Sequence, residues 1–145
     1  VEKIYRNLGV SFNIISEADD SGETRAETEL GIRVNEREQS ISIKIKTIGA
    51  DLIQRIREVK ASHSGKYWTI QLILPVDDKH ALSAYEELVG EGFYFTGVRA
   101  LCSGTEQIYM QYTGEVYFCF DEFKLTDGFR LLLKDVLVYY ERGNQ

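Results

Sequence analysis

Two neighbouring segments of the chain alternate strictly between apolar and polar or small residues. Leu, Ile and Val occupy every second position in residues 30–34 and again in residues 41–45. A period of two with one polar side is typical of antiparallel strands that bury one face against a core. The polar residues 35–38 between the two segments predict a hairpin that pairs the strands.

Helical periodicity follows in three places, at residues 52–59, 81–89 and 129–140. In each, apolar residues recur every three to four positions, as one face of a helix requires. Polar residues that can cap a helix stand before all three: Asp51 after the turn at Gly49, Asp77 or Asp78, and Thr126 or Asp127. The residues expected on the apolar faces are Leu52, Ile53, Ile56 and Val59; Ala81, Leu82, Tyr85, Leu88 and Val89; and Phe129, Leu132, Leu133, Val136 and Tyr140.

The remaining apolar segments predict further strands. Residues 67–74 show little polar alternation toward their end, which is typical of a strand in the centre of a sheet, and Pro75 ends them. The aromatic segments 93–97 and 108–112 predict a hairpin that follows the second helix. Shorter strands are expected at residues 10–16 and 116–120, and the polar residues 17–27 predict an exposed acidic loop.

Together these elements predict a single α+β domain that spans residues 1–145. No repeat or low-complexity run divides the chain. The chain starts at Val1 rather than at a methionine, so we interpret it as a piece of a longer protein. Residues 2–8 look like the end of a helix that stops at Gly9, and we expect residues 1–9 to be the tail of a linker helix.

The charge balance excludes one class of partner. The formal net charge is −6, whereas binding to nucleic acid depends on Lys and Arg neutralising phosphates. We interpret Lys44 and Lys46, and likewise Arg55 and Arg57, as the solvated faces of a strand and a helix. We expect no nucleic-acid partner. Since no apolar run is long enough to span a bilayer, we expect no membrane span either.

The cysteines and histidines offer no metal site. Cys102 and Cys119 lack the spacing of a zinc motif and lie in apolar surroundings, where a free cysteine behaves as a small hydrophobe. We therefore expect a reducing cytoplasm. His63 and His80 have no Cys, Asp or Glu at ligand spacing and are interpreted as solvated. We expect no metal.

After these elements, a family resemblance can be stated. The order strand, strand, helix, strand, helix, strand, strand over residues 30–112 is similar to the core of the GNAT superfamily of acyltransferases, which hold acyl-CoA in a splayed sheet. Ala81, Tyr85, Gly92 and Phe93 resemble the pattern in which the last helix of those enzymes often ends. The resemblance implies a GNAT-like mixed central sheet with helices on both faces.

A narrower resemblance is carried by three short motifs: Leu74-Pro75 at a strand end, Gly92-Phe93-Tyr94-Phe95-Thr96-Gly97, and Met110-Gln111-Tyr112. They are similar to motifs of a degenerate GNAT-like domain that is fused, in some bacteria, behind histidine-kinase-like ATPase domains of the anti-sigma-factor type. This resemblance implies a regulatory or sensor domain associated with such an ATPase. We expect no bound cofactor under this interpretation, and the small molecule or protein that it recognises is open.

The alternative is a divergent N-acyltransferase that uses acetyl-CoA. Enzymes of the superfamily grip the pyrophosphate with main-chain N–H groups of a glycine-rich turn before a helix. Gly49 and Ala50 occupy that place here and are the candidate cofactor-binding residues. The turn has a single glycine, however, and the acidic Asp51 would oppose an anion. The simpler interpretation is that Gly49 forms a turn and Asp51 caps the helix.

Tyr85 is the candidate catalytic residue of that alternative. A general-acid tyrosine lies about one helical turn before the Gly-Phe pair in these enzymes. Four residues before Gly92 is Leu88, and Tyr85 lies one turn earlier on the same apolar side. We interpret Tyr85 as a core tyrosine whose hydroxyl reaches the edge. A third hypothesis is a structural dimerisation domain, a homodimer that uses the strand after Gly114 and the aromatic residues of the C-terminal half.

Overall fold

The computed structural model describes residues 26–63, 65–100, 106–114 and 122–143. The elements predicted at residues 2–8, 10–16 and 116–120, the two cysteines, and the strand proposed for dimerisation lie outside these ranges. The described elements are β1 (Glu29–Asn35), β2 (Ser40–Thr47), α1 (Leu52–His63), β3 (Thr69–Pro75), α2 (Ala81–Gly90), β4 (Tyr94–Ala100), β5 (Glu106–Tyr112) and α3 (Asp127–Gly143). The predicted order of strands and helices from residue 30 to residue 112 is confirmed.

The strands within the described ranges form one sheet in the order β1-β2-β3-β5-β4. β2 and β3 are parallel, whereas the β1–β2, β3–β5 and β5–β4 pairs are antiparallel. Because β3 and β4 both run opposite to β5, they run in the same direction. The segments β2-α1-β3 and β3-α2-β4 are therefore two successive crossovers, and β5 fills the place between β3 and β4. The predicted α+β class with a mixed sheet, and β3 as its central strand, are confirmed.

One face of the sheet carries the hydrophobic core. Ile43, Leu72, Met110 and Phe95 lie side by side across β2, β3, β5 and β4, and each is at most 5% exposed. Helix α1 contributes its apolar stripe to the same cluster, and α2 adds its own, so that the two helices pack together over this face. The buried helix residues are Leu52, Ile56 and Val59 on α1, and Ala81, Ala84 and Leu88 on α2.

A polar contact joins the two helices at one end. Arg57 Nη2 lies 2.6 Å from Glu91 Oε1, and Lys60 Nζ donates to the main-chain oxygen of Glu91 at 2.7 Å. Lys60 Nζ also lies 4.2 Å from the centroid of the Tyr112 ring. Burial lowers the pKa of Lys60, and the Glu91 carboxylate partly restores it. These contacts hold the last turn of α2 against α1.

Two apolar residues are exposed although the helical pattern placed them on buried faces. Leu82 was expected on the buried face of α2, but its side chain is 72% exposed. Ala81, Ala84 and Leu88 define the buried stripe, and Leu82 points more than a quarter-turn away from it at 100° per residue. Phe129, expected on the apolar face of α3, is 62% exposed. Among the described helices, none is long and apolar enough to cross a membrane.

Candidate functional site

The sheet contains a split at the carboxyl ends of its two parallel strands. β2 and β3 pair from Ser40–Thr69 to Lys44–Ile73 and then stop, although β2 continues to Thr47 and β3 to Pro75. On their other sides both strands stay paired to the end, with β1 and β5 respectively. The split therefore lies between residues 45–47 and residues 74–75, which are not paired with each other, and Pro75 has no N–H with which to extend the ladder. Crevices at the carboxyl ends of parallel strands are common ligand sites in sheets with crossover helices.

A groove of about 440 Å³ lies on the helix side of the split. The turn after β2 lines one wall with Gly49 and Ala50, and the first turn of α2 lines the other with His80 and Ser83. Gly49 and Ala50, the candidate cofactor-binding residues, therefore do lie on a groove between the N-terminal ends of two helices. We call this the helix-side groove.

A second groove of about 280 Å³ opens at the same split. Its walls come from β2, from the residues that follow β3, and from the start of β5. Lys44 and Lys46 point to the face of the sheet opposite the core isoleucines, because side chains alternate along a strand. We call this the outer groove. Its polar residues are Lys44, Lys46, Asp77, Glu106 and Gln107.

Thr28 contacts the turn at Gly49, where the resemblance places the pyrophosphate of a cofactor. Its hydroxyl accepts a hydrogen bond from the Gly49 N–H at 3.0 Å and faces the Gly49 carbonyl at 3.3 Å. Its N–H donates to Asp51 Oδ1 at 2.6 Å, and its carbonyl accepts from Arg55 Nη1. Thr28 is 2% exposed, so its side chain and both main-chain polar groups are satisfied inside the protein. We call these contacts the Thr28 junction.

Gly49 is required at this junction for space. A Cβ at this position would lie 2.4 Å from the carbonyl carbon of Glu27 and 2.6 Å from the Thr28 nitrogen. The predicted turn is present, since the Leu52 N–H donates to the Gly49 carbonyl at 3.2 Å. Asp51 lies at the predicted cap position, directly before α1. Its Oδ1, however, accepts a hydrogen bond from Thr28, which lies more than twenty residues earlier in the chain.

The hydrogen bonds from Thr28 favour the ionised form of Asp51. They lower the pKa of this carboxyl, with a smaller contribution from the Arg55 guanidinium, while desolvation acts in the opposite direction. A carboxyl whose pKa is lower in the folded than in the unfolded chain stabilises the fold above its unfolded pKa. That contribution is lost as the pH falls through the folded pKa.

Asp51→Asn is therefore expected to lower the stability of the domain at pH 7, because the Thr28 N–H loses a charged acceptor. The difference between the variant and the parent should shrink as the pH falls below about 4, where the parent carboxyl protonates too. Urea unfolding at pH 7 and near pH 2.5 measures both. Asp77→Asn is the control, since the Asp77 carboxyl has no bonded partner within the described residues. A stability loss for Asp51→Asn that is equal at both pH values would contradict this explanation.

Tyr85 is not among the described residues that line the groove with Gly49 and Ala50, the other two candidates. It is half-buried on α2 and packs against the hydrophobic core, whereas the neighbouring α2 residues Ser83, Ala84 and Glu87 line the helix-side groove. Neither groove includes Tyr85 among its described lining residues. The structure thus brings Gly49 and Ala50 to one groove and packs Tyr85 beside the core. Leu88, at the position expected for a general acid, is fully buried.

His80 lies on the helix-side groove and was not predicted there. The sequence indicated a solvated side chain, but within the described residues His80 Nε2 is buried without a hydrogen-bond partner. The N-cap of α2 is His80, which forms no side-chain cap hydrogen bond, so the predicted cap at Asp77 or Asp78 is wrong. Asp78 Oδ1 instead accepts a hydrogen bond from the His80 N–H at 3.0 Å. The turn after β2 lines the same groove, and no local sequence pattern signals that His80 lies opposite it. The described residues contain no group of three or more potential metal ligands.

Comparison with known proteins adds a distant structural likeness. No family model matches the chain, and no curated protein matches it. Among solved structures, the chain is similar to a candidate acetyltransferase from Sphaerobacter thermophilus DSM 20745, with 15% sequence identity and a TM-score of 0.42. The match covers 66% of this chain and 63% of that chain, so this chain spans less than two-thirds of its neighbour. A likeness at this level supports no conclusion about activity.

Proposed function

We propose that this chain is a non-catalytic regulatory or sensor domain that has the sheet topology of the GNAT acyltransferases without their cofactor site. The order of elements over residues 30–112 and the split between the parallel strands support the topology. The proposed lack of catalysis rests on a single observation, the Thr28 junction.

The argument rests on the hydrogen-bond donors of one turn. Binding of a pyrophosphate at a helix N-terminus requires main-chain N–H groups that point at the ligand. Here the Gly49 N–H is bonded to Thr28 Oγ1, and the main chain of Glu27 and Thr28 lies where a phosphate would approach Gly49. The ionised Asp51 stands at the same helix end and repels an anion. The Gly49 N–H is therefore used inside the protein and is not available to a ligand.

The wider setting follows from the motifs at residues 92–97 and 110–112. We propose a bacterial, cytoplasmic parent protein in which this domain accompanies an anti-sigma-factor-type ATPase and regulates it. The ATP-binding segment of such a protein would lie outside residues 1–145. An open reading frame without such an ATPase domain beside this one would contradict that assignment.

Calorimetric titration of the domain with acetyl-CoA tests the loss of the cofactor site. We expect no binding heat at cofactor concentrations up to about 1 mM, a limit that corresponds to roughly −4 kcal/mol of binding free energy. Circular dichroism of the same sample shows that the domain is folded. Binding with a micromolar dissociation constant would overturn the proposal.

The split itself favours one alternative, a divergent N-acyltransferase. Splayed parallel strands are the feature with which the GNAT enzymes hold acyl-CoA, and Gly49 and Ala50 line a groove beside the split. In that case Tyr85 would be the general acid. In a separate assay of acetyl transfer to amine acceptors, Tyr85→Phe should then reduce the turnover of acetyl-CoA by about 100-fold or more while the fold stays intact. An unchanged rate would exclude that role.

A further inference from the structure

The face of the sheet opposite the core carries three cations on β1 and β2. Arg33 on β1 pairs in register with Ser42 on β2, and Lys44 and Lys46 follow on the same side of β2. The three basic side chains therefore lie in three successive rows of this face, one cation in each row. Successive rows are about 7 Å apart, because a strand rises about 3.4 Å per residue. We call Arg33, Lys44 and Lys46 the basic cluster.

The basic cluster is exposed and only partly neutralised. All three side chains are exposed. Lys46 pairs with Glu29 at 2.6 Å, but these two side chains are 51% and 61% exposed, and ion pairs in such surroundings are weak. Within the part of the chain that the structure describes, Arg33 and Lys44 form no ion pair. Asp77 lines the outer groove with both lysines but lies in an ion pair with neither.

The surroundings of the basic cluster favour a polar partner. The row that begins with Arg33 and Ser42 continues through Gln71 on β3 to Gln111 on β5, so it offers uncharged hydrogen-bonding groups beside the cations. Helices α1 and α2 pack on the other face and do not cover this row. The formal net charge of the chain is −6, so this local excess of positive charge is opposite in sign to the charge of the whole chain.

We propose that the basic cluster binds an extended acidic segment of a partner protein, with carboxylates on alternate residues. Alternate side chains of an extended segment point to one side and repeat about every 7 Å, which is the spacing of the three rows. Charge complementarity selects an anionic partner. Domains that bind nucleic acid are commonly basic, unlike this chain, which favours a protein. This inference rests on the proposed function, because it names the partner surface of a regulatory domain.

Calorimetric titration with two short peptides of equal composition tests the spacing. Glutamate and serine alternate in the first peptide, whereas all glutamates precede all serines in the second. At low ionic strength, where exposed ion pairs are least screened, we expect the alternating peptide to bind about two- to fivefold more tightly. Equal affinities of the two peptides would overturn the match between the rows and an extended segment.

Three variants and a matched control locate the binding. Arg33→Gln, Lys44→Gln and Lys46→Gln should each weaken the alternating peptide about two- to fivefold, and the triple variant by about tenfold or more. Lys134→Gln removes the same charge from an exposed position on α3 and should leave the affinity unchanged. Circular dichroism shows that each variant is folded. If Lys134→Gln weakened binding as much as Lys44→Gln, the net charge of the chain would be responsible and the proposal would fail.

A short single-stranded oligoribonucleotide is the second probe. We expect it to bind no more tightly than the alternating peptide. Tighter binding that is lost in the triple variant would overturn the choice of a protein partner.

The acetyl-CoA titration gives a separate answer. A folded domain that binds neither acetyl-CoA nor the peptides at millimolar concentration would overturn the role of the basic cluster and leave the lack of a cofactor site intact. Acetyl-CoA that binds the parent and the triple variant equally would overturn the non-catalytic function, and the peptide affinities of the variants would still decide the role of the basic cluster.

Discussion

Gly49→Ala is expected to destabilise the domain by about 2–4 kcal/mol. The added methyl group would lie 2.4 Å from the Glu27 carbonyl carbon and 2.6 Å from the Thr28 nitrogen. Both are main-chain atoms, so rotation of a side chain cannot relieve the clash. The segment before β1 has to move, and the hydrogen bonds between Thr28 and Gly49 break with it. Urea unfolding measures the loss, which a thermal melt should show as a decrease of about 5–15 °C.

Gly90→Ala is the matched control for this substitution. Nothing lies within 4 Å of a Cβ at Gly90, the last residue of α2. Because alanine has a higher helix propensity than glycine, this variant should keep its stability or gain up to about 1 kcal/mol. If both variants lost stability equally, the loss would come from replacing glycine as such, and the close approach at Gly49 would not be its cause.

The close approach of the main chain to Gly49 also bears on function. In an acyl-CoA enzyme, a glycine at this turn allows the cofactor's phosphates to approach the main chain. In this chain the same freedom allows the chain's own residues 27–28 to approach instead. A single glycine is therefore compatible with either use, and the atoms that lie against it decide between them.

The elements of the fold were predictable because their signals are local. A period of two at residues 30–34 and 41–45 requires only neighbouring residues to be recognised, as does the helical period of α1. The strand order was not predicted. β5 lies between β3 and β4, although β4 precedes it in the chain, and no residue pattern within these strands encodes which neighbours they will have. Pairing of that kind depends on contacts between residues far apart in the sequence.

The candidate site was predicted in part. The turn at Gly49 and the cap position of Asp51 were identified from residue type alone. Thr28 was missed, because a threonine at the end of an acidic loop has no local signature, and its partners lie 21 and 23 residues away. Lys44 and Lys46, which line the outer groove, were interpreted as a solvated strand face. They line the same groove as Asp77 and Glu106 because the ends of β2, β3 and β5 are neighbours in the sheet.

Leu82 shows the limit of a periodicity argument. Both Leu82 and Leu88 fit a broad apolar stripe along α2, yet the first is 72% exposed and the second fully buried. The stripe that packs on the sheet is narrower than the stripe that the sequence offers, because it is set by the surface underneath. Hydrophobicity at the right spacing predicts that a helix has an apolar side, and packing decides which of its residues are covered.

Leu88→Ala is expected to destabilise the domain by about 2–5 kcal/mol, which is the loss of a buried leucine side chain together with the cavity that remains. Leu88 is fully buried in the core cluster, and its carbonyl accepts hydrogen bonds from the N–H groups of Glu91 and Phe93, which lead α2 into β4. Leu82→Ala makes the same chemical change on the same helix at an exposed position, so it should alter the free energy of unfolding by less than about 0.5 kcal/mol. Urea unfolding of both variants beside the parent gives the two values directly. A large loss for Leu82→Ala would mean that another surface covers this residue in solution, whereas a small loss for Leu88→Ala would contradict the packing of α2 on the sheet.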